Sequence, residues 1–297
     1  MMTILDGKGT ATFVKEGLKS EISELTQKYK RAPKLAAVLI GSDGASETYV
    51  ASKVKSCKAI GIESLLIREE RNITENQLLE IVNKLNKDET VDGILVQLPL
   101  PSHINEEIIT LAISPIKDVD GFHPENLGRL VLGVESYTPA TPLGIMMLLS
   151  HYKINTEGMN AVVIGRSSIV GTPMSLLLSR NSNPGNCTVT LAHSRTKNLK
   201  EITLKADLIV VALGKPEFLT GDMVKEGAIV IDVGISRVED NTSEKGYTIK
   251  GDVLFNEVAP KCSFITPVPG GVGAMTIAAL MSNTVHAFKR RNDNLSS

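Results

Sequence analysis

The chain has 297 residues, and its 32 Lys and Arg nearly cancel 33 Asp and Glu to leave a net charge of −1. That length allows roughly two domains at about 150 residues each, and 42 % hydrophobic with 22 % charged residues is ordinary globular composition with enough apolar sequence for a sizeable core. Near-neutral charge, no Trp, six Phe and five Tyr argue against a basic nucleic-acid surface and against aromatic platforms for single strands. Cys57, Cys187 and Cys262 lie far apart with no C-x-x-C pair, and the five histidines are scattered, so neither a disulfide framework nor a metal site is expected. No uncharged apolar run approaches the length of a membrane span, and the first residues lack a basic segment followed by an apolar one. These features predict a soluble cytoplasmic protein.

Apolar residues at Val14, Leu18, Ile22, Leu25 and Tyr29 recur at helical spacing and predict a first helix. Lys34 to Ile40 reads as a buried strand, followed by a helix from about Ala45 to Ile60 closed by Gly61. Ile62 to Ile67 is a second strand. Thr74-Glu75-Asn76-Gln77 is a capping-box pattern that opens a helix with Leu78, Ile81, Val82 and Leu85 inward. Ile94 to Gln97 is a third strand running into Leu98-Pro99-Leu100-Pro101. This alternation of strand and helix predicts a parallel sheet. The prolines of Tyr137 to Pro142 suit a linker. The pattern then restarts, with strands at Asn160 to Gly165, Cys187 to Ala192, Leu208 to Leu213, Ala228 to Val233 and Ser263 to Thr266. Helices are expected near Gly171 and around Leu199 to Lys205, and Met275 to Lys289 is an amphipathic helix at the end.

Gly165-Arg166-Ser167-Ser168-Ile169-Val170-Gly171-Thr172-Pro173 follows a strand and opens a helix. Backbone N–H groups at the positive end of a helix can bind phosphate, and glycines permit close approach. The spacing is not G-x-G-x-x-G, since Ser167 replaces the middle glycine and the last is displaced. Enzymes that use NAD commonly place an acid at the end of the next strand for the ribose 2′-hydroxyl. Here that strand ends in His193-Ser194-Arg195, and a hydroxyl with a cation suits a 2′-phosphate, which favours NADP over NAD. Gly214-Lys215-Pro216 and Gly234-Ile235 are strand ends expected to flank the nicotinamide side.

Tyr49 and Lys53 lie four residues apart, on one face of the second helix. Gln97 stands at a strand end, where it can both donate and accept. Lys117-Asp118-Val119-Asp120-Gly121 places two carboxylates in a loop, and one such as Asp120 can accept two N–H bonds from an amidine-like heterocycle edge. Lys53 suits acid–base work or stabilisation of charge.

Together these segments resemble the bifunctional methylenetetrahydrofolate dehydrogenase/methenyltetrahydrofolate cyclohydrolase family over nearly the whole chain. The matching blocks are Ser46-Glu47-Thr48-Tyr49-Val50 with Lys53, Val91 through Pro101, Lys117 to Gly121, Gly165 through Pro173, Ile231 to Ile235, and Thr266 to Gly273. Ala140 and Ala274 depart from it, standing where the family often has Cys and Pro. The resemblance implies oxidation of 5,10-methylenetetrahydrofolate with NADP⁺ and hydrolysis of the methenyl product to 10-formyltetrahydrofolate, in one shared cleft. It implies Lys53 as the central catalytic residue, tuned by Gln97. Tyr49 would pack on the folate rings, Asp120 would anchor the pterin, and Pro269, Gly270 and Gly271 would form part of the folate wall. Gly165, Arg166, Ser167, Ser194 and Ile235 would contact NADP. The implied fold is α/β: two three-layer α/β domains, the second a Rossmann-like NAD(P)-binding domain, with a C-terminal helix returning to the first. The expected boundaries are 1–140 plus 274–297 for the folate-binding catalytic domain and 141–273 for the nucleotide domain, in a homodimer serving one-carbon metabolism. A shikimate-type dehydrogenase would instead bring a conventional glycine fingerprint and no Gln-Leu-Pro-Leu-Pro segment. A binding protein that had lost its chemistry would lack Lys53.

Overall fold

The structure, a computed structural model, describes residues 2–240, 242–243 and 246–293. The first half of the chain runs β1 (Thr3–Ile4), α1 (Gly7–Tyr29), β2 (Lys34–Ile40), α2 (Gly44–Ile60), β3 (Glu63–Glu69), α3 (Glu75–Lys87), β4 (Gly93–Val96), α4 (Glu106–Ala112) and α5 (Pro124–Leu132). The second runs α6 (Ala140–His151), β5 (Asn160–Ile164), α7 (Gly171–Ser179), β6 (Thr188–Ala192), α8 (Leu199–Thr203), β7 (Leu208–Val211), β8 (Ala228–Asp232), β9 (Ser236–Glu239), β10 (Tyr247–Lys250), α9 (Phe255–Val258), β11 (Cys262–Ile265) and α10 (Val272–Asp293). By compactness the chain divides into two units, Met1–Ala11 with Thr141–Thr276, and Thr12–Ala140 with Ile277–Ser297.

In the unit that begins at Thr12, three parallel strands lie in the order β3-β2-β4. Every residue of β2 from Leu35 to Ile40 is buried, as expected of a central parallel strand covered on both faces. Ala36, Val38 and Ile40 pack with Leu78, Val82 and Leu85 of α3, while the alternating Leu35, Ala37 and Leu39 point to the opposite face. Helix α3 starts where expected, in a capping box whose two halves are the Thr74 hydroxyl and the Gln77 side chain. Helix α2 is fixed at both ends. The Asp43 carboxylate accepts from Ser46 N at 2.8 Å, and Gly61 ends the helix in the left-handed region at φ 90°. Those two ends set the rotational phase of the helix that carries Tyr49 and Lys53.

The other unit holds a six-stranded sheet in the order β1-β11-β8-β7-β5-β6, all neighbours parallel. From β5 the chain moves outward to β6 and then returns to β7 on the other side of β5, so β5 marks a topological switch point, where open α/β sheets bind ligands. The strand Thr3–Ile4 pairs with β11 and so belongs to this sheet. A hairpin of β9 and β10 stands apart from it.

Tyr137 to Pro142, expected as a linker, is ordered differently. Tyr137 is fully buried, its hydroxyl donates to the Ile116 carbonyl at 3.0 Å, and α6 already starts at Ala140. Pro142 falls in the first turn of that helix, where a missing N–H costs nothing. Helices α4 to α6 and the β9–β10 hairpin went unread in the sequence.

Asp92, fully buried just before β4, holds the edge of the three-stranded unit together. It takes a bidentate pair from Arg31 at 2.7 and 2.8 Å, the Lys34 N–H at 2.9 Å and Arg291 of α10 at 3.0 Å. Removing one partner of a buried pair is costly because the other charge stays desolvated. The arginines are partly exposed and can regain some hydration. Asp92→Ala should therefore lower the unfolding free energy by about 2–4 kcal/mol, read as a lower urea midpoint by circular dichroism. A loss of under about 1 kcal/mol would place the network with ordinary surface pairs.

Candidate active site

Helix α2 presents one buried stripe, Ser46, Val50, Lys53, Cys57 and Ile60, to the interior of its unit. Lys53 is the one charged residue in it and is 5 % exposed. Its Nζ donates to Gln97 Oε1 at 3.0 Å and lies 4.7 Å from the centre of the Tyr49 ring, one turn earlier. Burial lowers the pKa of Lys53, and the charge of Asp120 partly opposes that shift. One turn on, Cys57 is an inert neighbour. Its thiol is pushed up to about 12 by burial, and its Sγ sits 3.3 Å from Met281 Sδ.

Gln97 is the first residue past β4, which spans Gly93–Val96 and so lies one residue earlier than the expected Ile94 to Gln97. Its amide orientation is determined by its neighbours. Nε2 donates to the Leu98 carbonyl at 2.6 Å, which turns Oε1 toward Lys53.

The loop Lys117 to Gly121 separates its two carboxylates by role. Asp118 is buried and builds the loop, accepting from the N–H groups of Phe122 at 3.3 Å and His123 at 2.8 Å and from Asn126 Nδ2 at 2.9 Å. Lys117, also buried, donates to the Leu85 and Asp88 carbonyls at the end of α3. Gly121 adopts φ +75°, and a Cβ there would collide with the backbone of Tyr137 to Pro139. Asp120 itself is half-buried, and its carboxylate takes no hydrogen bond from a described residue. Loss of hydration pushes it up to about 6, with Lys53 opposing the shift and Asp118 reinforcing it.

Asn283 of α10 is a residue the sequence reading missed. Buried, it donates to the Val119 carbonyl at 2.8 Å and the Thr138 carbonyl at 2.9 Å, and so holds the Asp120 loop from one side. The signal was present, because Asn283 lies between Ala279 and Ala287 at steps of four in an otherwise apolar stripe. Tyr49, Lys53, Gln97 and Asp120 are thus assembled within one unit.

The remaining predicted residues lie in the other unit. Gly165, at φ +123° directly after β5, would place a Cβ against the Ala212 carbonyl, and a Cβ on Gly171 would meet the Gly165 carbonyl. The loop between them is therefore closed around its own backbone. Ser167 Oγ accepts from Val170 N at 3.2 Å and Gly171 N at 3.4 Å, and Ser167 O accepts from Thr172 N at 3.0 Å. The expectation of freely offered helix N–H groups needs correction here. With the last glycine displaced, Ser167 caps the start of α7, and Arg166 and Ser167 stand exposed beside it.

Because Ile164 and Ala192 are register partners, Arg166 and the exposed Ser194 and Arg195 emerge from adjacent strand ends. Ile235 follows β8 and is 57 % exposed. Pro269, Gly270 and Gly271 follow β11. Pro269 is exposed, the Gly270 carbonyl accepts from Lys8 N at 3.0 Å, and a Cβ on Gly271 would strike the Pro267 carbonyl. Among the described residues, no group of three or more His, Cys, Asp or Glu is placed to hold a metal, and no helix is long and apolar enough to cross a membrane.

Comparison with known proteins places both halves of the chain. Residues 5–120 match the family model for the tetrahydrofolate dehydrogenase/cyclohydrolase catalytic domain, and residues 139–292 match that for its NAD(P)-binding domain. The bifunctional protein FolD of Flavobacterium johnsoniae is 58 % identical, covering 98 % of this chain and 99 % of its own. The crystal structure of the bifunctional FolD methylenetetrahydrofolate dehydrogenase/cyclohydrolase from Campylobacter jejuni superposes with a TM-score of 0.91 at 51 % identity, over 98 % of this chain and 100 % of that one. The Trypanosoma brucei enzyme complexed with NADP and an inhibitor gives 0.92 at 36 %, over 97 % and 98 %. With both halves matched in order, this chain belongs to the tetrahydrofolate dehydrogenase/cyclohydrolase family.

Proposed function

We propose that the chain oxidises 5,10-methylenetetrahydrofolate to the methenyl form with NADP⁺ and then hydrolyses that form to 10-formyltetrahydrofolate at one folate site, with Lys53 at its centre. It is a bifunctional enzyme of its family, an oxidoreductase and a hydrolase of one-carbon metabolism. The observation that carries the role of Lys53 is a buried amine 3.0 Å from a side-chain carbonyl whose own orientation is locked.

The unit containing β2 to β4 would take the folate, and the unit with the six-stranded sheet the nucleotide. When bound, NADP⁺ supplies the acceptor for the hydride. The residues present suit it: a glycine after β5 that tolerates no side chain, no acid at the end of β6, and two exposed arginines at adjacent strand ends. The apolar Ile235 would meet the nicotinamide end, and Arg166, Ser167, Ser194 and Arg195 the phosphates. Tyr49 would stack on the folate rings, and Pro269, Gly270 and Gly271 would contribute to the folate wall.

Asp120 would accept two N–H bonds from the pterin edge, for which its carboxylate is left without a donor among the described residues. In the hydrolytic step, neutral Lys53 takes a proton from the attacking water as the new C–O bond forms at the methenyl carbon. It returns that proton to N5 as the C–N5 bond breaks and the ring opens, and the proton remaining on the added oxygen leaves to solvent as the formyl C=O forms. Both its burial and the positive methenyl group beside it disfavour the ammonium form. Gln97 Oε1 holds the amine in line between the two transfers. The three cysteines are free and buried, consistent with a reducing cytoplasm. A homodimer belongs to the same reading, and sedimentation at the 31.9 kDa mass of a single chain would count against it.

Lys53→Met should reduce methenyl hydrolysis by at least about 10³-fold, while NADP binding by calorimetry stays at the wild-type value. The same variant should unfold at a higher urea concentration, because it removes an amine whose burial is unfavourable. Retained hydrolysis would refute the assignment. For Asp120, kcat/KM toward methylenetetrahydrofolate should fall as pH drops through about 6, since protonation removes the acceptor. Asp120→Asn should give a low rate lacking that limb. Persistence of the limb in the variant would assign it to another group.

A further inference from the structure

Two buried carboxylates in the nucleotide unit have no part in the chemistry above. Asp232, 4 % exposed, ends β8, and Asp252, 0 % exposed, follows β10. Asp252 Oδ2 accepts from Leu213 N at 2.6 Å and Gly214 N at 2.9 Å, in the turn that leaves β7. Asp232 Oδ1 accepts from Gly234 N and from Asp252 N, both at 2.9 Å, and its Oδ2 from Val253 N at 3.0 Å. The two acids therefore tie the turns after β7 and β8 to one another through five backbone N–H groups.

The fit around them is tight. A Cβ on Gly234 would collide with the Asp252 carboxylate, and one on Gly251 with Asp232 Oδ2. The Asp252 carbonyl accepts from Leu219 N at 2.9 Å, which extends the tie along the same loop. Asp252 Oδ1 is buried and has no partner among the described residues. Burial together with Asp252 pushes the carboxyl of Asp232 up to about 6, against the N–H bonds it receives. Burying two acids this close is unfavourable, and apolar packing would hold a core as well. What apolar packing cannot do is set the positions of five N–H groups, three in the two turns and two in the segment after β10.

Those turns are Gly214 and Gly234–Ile235, the strand ends at which the proposed reading puts the nicotinamide. We propose that Asp252 is a positioning residue for the dehydrogenase step: through Leu213, Gly214 and Asp232 it holds the two strand-end turns in the geometry that receives the nicotinamide end of NADP, and it has no part in methenyl hydrolysis. This rests on the NADP reading above. Hydrolysis requires no hydride acceptor, so the two activities of one chain report separately on the clamp and on the fold.

The test compares Asp252→Ala and Asp252→Asn in the full chain. Asp252→Ala should weaken NADP binding, measured by calorimetry, by at least about tenfold. Its dehydrogenase rate should fall with the affinity, and its hydrolysis of supplied methenyltetrahydrofolate, measured without nucleotide, should stay within about twofold of wild type. Asp252→Asn keeps one oxygen for the Leu213 and Gly214 N–H groups and should lie near wild type in all three. If Asp252→Ala yields no folded protein, Asp252→Ser decides by the same split. Equal loss of both activities, NADP affinity within about twofold of wild type in the Ala or Ser variant, or an Asn variant as damaged as Ala would each overturn the proposal. A wild-type protein that binds no NADP would overturn the cofactor reading beneath it, and would be recognised by appearing before any substitution.

Discussion

Lys53 occupies a position where helix α2 would ordinarily carry an apolar residue, between Val50 and Cys57 on the stripe that faces the interior. An ammonium there loses most of its hydration, so the site favours the neutral amine. Almost everything else in that unit can be understood as a consequence of that placement. The amine needs a partner that neither protonates it nor leaves it unsatisfied, and a neutral carbonyl from Gln97 meets both demands. A carboxylate in direct contact would pull the amine back toward its charged form. Asp120 stays close enough to moderate the shift and makes no hydrogen bond with the amine.

The polar groups around this centre divide by whether their bonding is complete. Asp92, Asp118, Lys117 and Asn283 are buried and bonded; Asp92, Lys117 and Asn283 join segments distant in sequence, while Asp118 closes its own loop. Asp120 differs in having no donor among the described residues. Its loop is secured by Asp118 from within, by Asn283 at the Val119 carbonyl and by the Ala140 N–H at the Asp120 carbonyl. On the proposed reading, a carboxylate with unused acceptor capacity on this loop is arranged for a donor from the ligand, and that asymmetry would separate a binding residue from a structural one.

Legibility in the sequence followed the range of the interactions involved. Parallel strands and their helices were readable because burial on both faces leaves continuous apolar runs such as Lys34–Ile40, and because Thr74 with Gln77, and Gly61, mark helix ends through local bonds. Tyr137 to Pro142 misled, since proline marks both a chain break and a helix start, and only the burial of Tyr137 decides between them. Tyr49, Lys53, Gln97 and Asp120 could be singled out as residue types at suggestive spacings, and resemblance to a family drew them together. The separate roles of Asp118 and Asp120 were not visible, because they depend on Asn126, Asn283 and Ala140, which lie further along the chain. Asp252 was missed for the same reason: a lone acid after a hairpin has no local pattern.

The nucleotide unit shows why loop spacing alone is a weak guide. The residues Gly165 to Gly171 do not fit the usual glycine fingerprint, yet the strand order puts them at the switch point of a doubly wound sheet. The displaced glycine has a physical consequence, for it brings Ser167 round to bond Val170, Gly171 and Thr172, and the start of α7 satisfies much of its own hydrogen-bonding need. On the proposed reading, recognition of the nucleotide's phosphates then shifts toward exposed side chains, Arg166 from one strand end and Ser194 and Arg195 from the next. A site built that way gains most from a ligand carrying an additional phosphate at the ribose, because a guanidinium gives its strongest and most directional contacts to a dianionic oxygen group and little to a neutral hydroxyl. The absence of an acid at the end of β6 removes the alternative partner that a free 2′-hydroxyl would use.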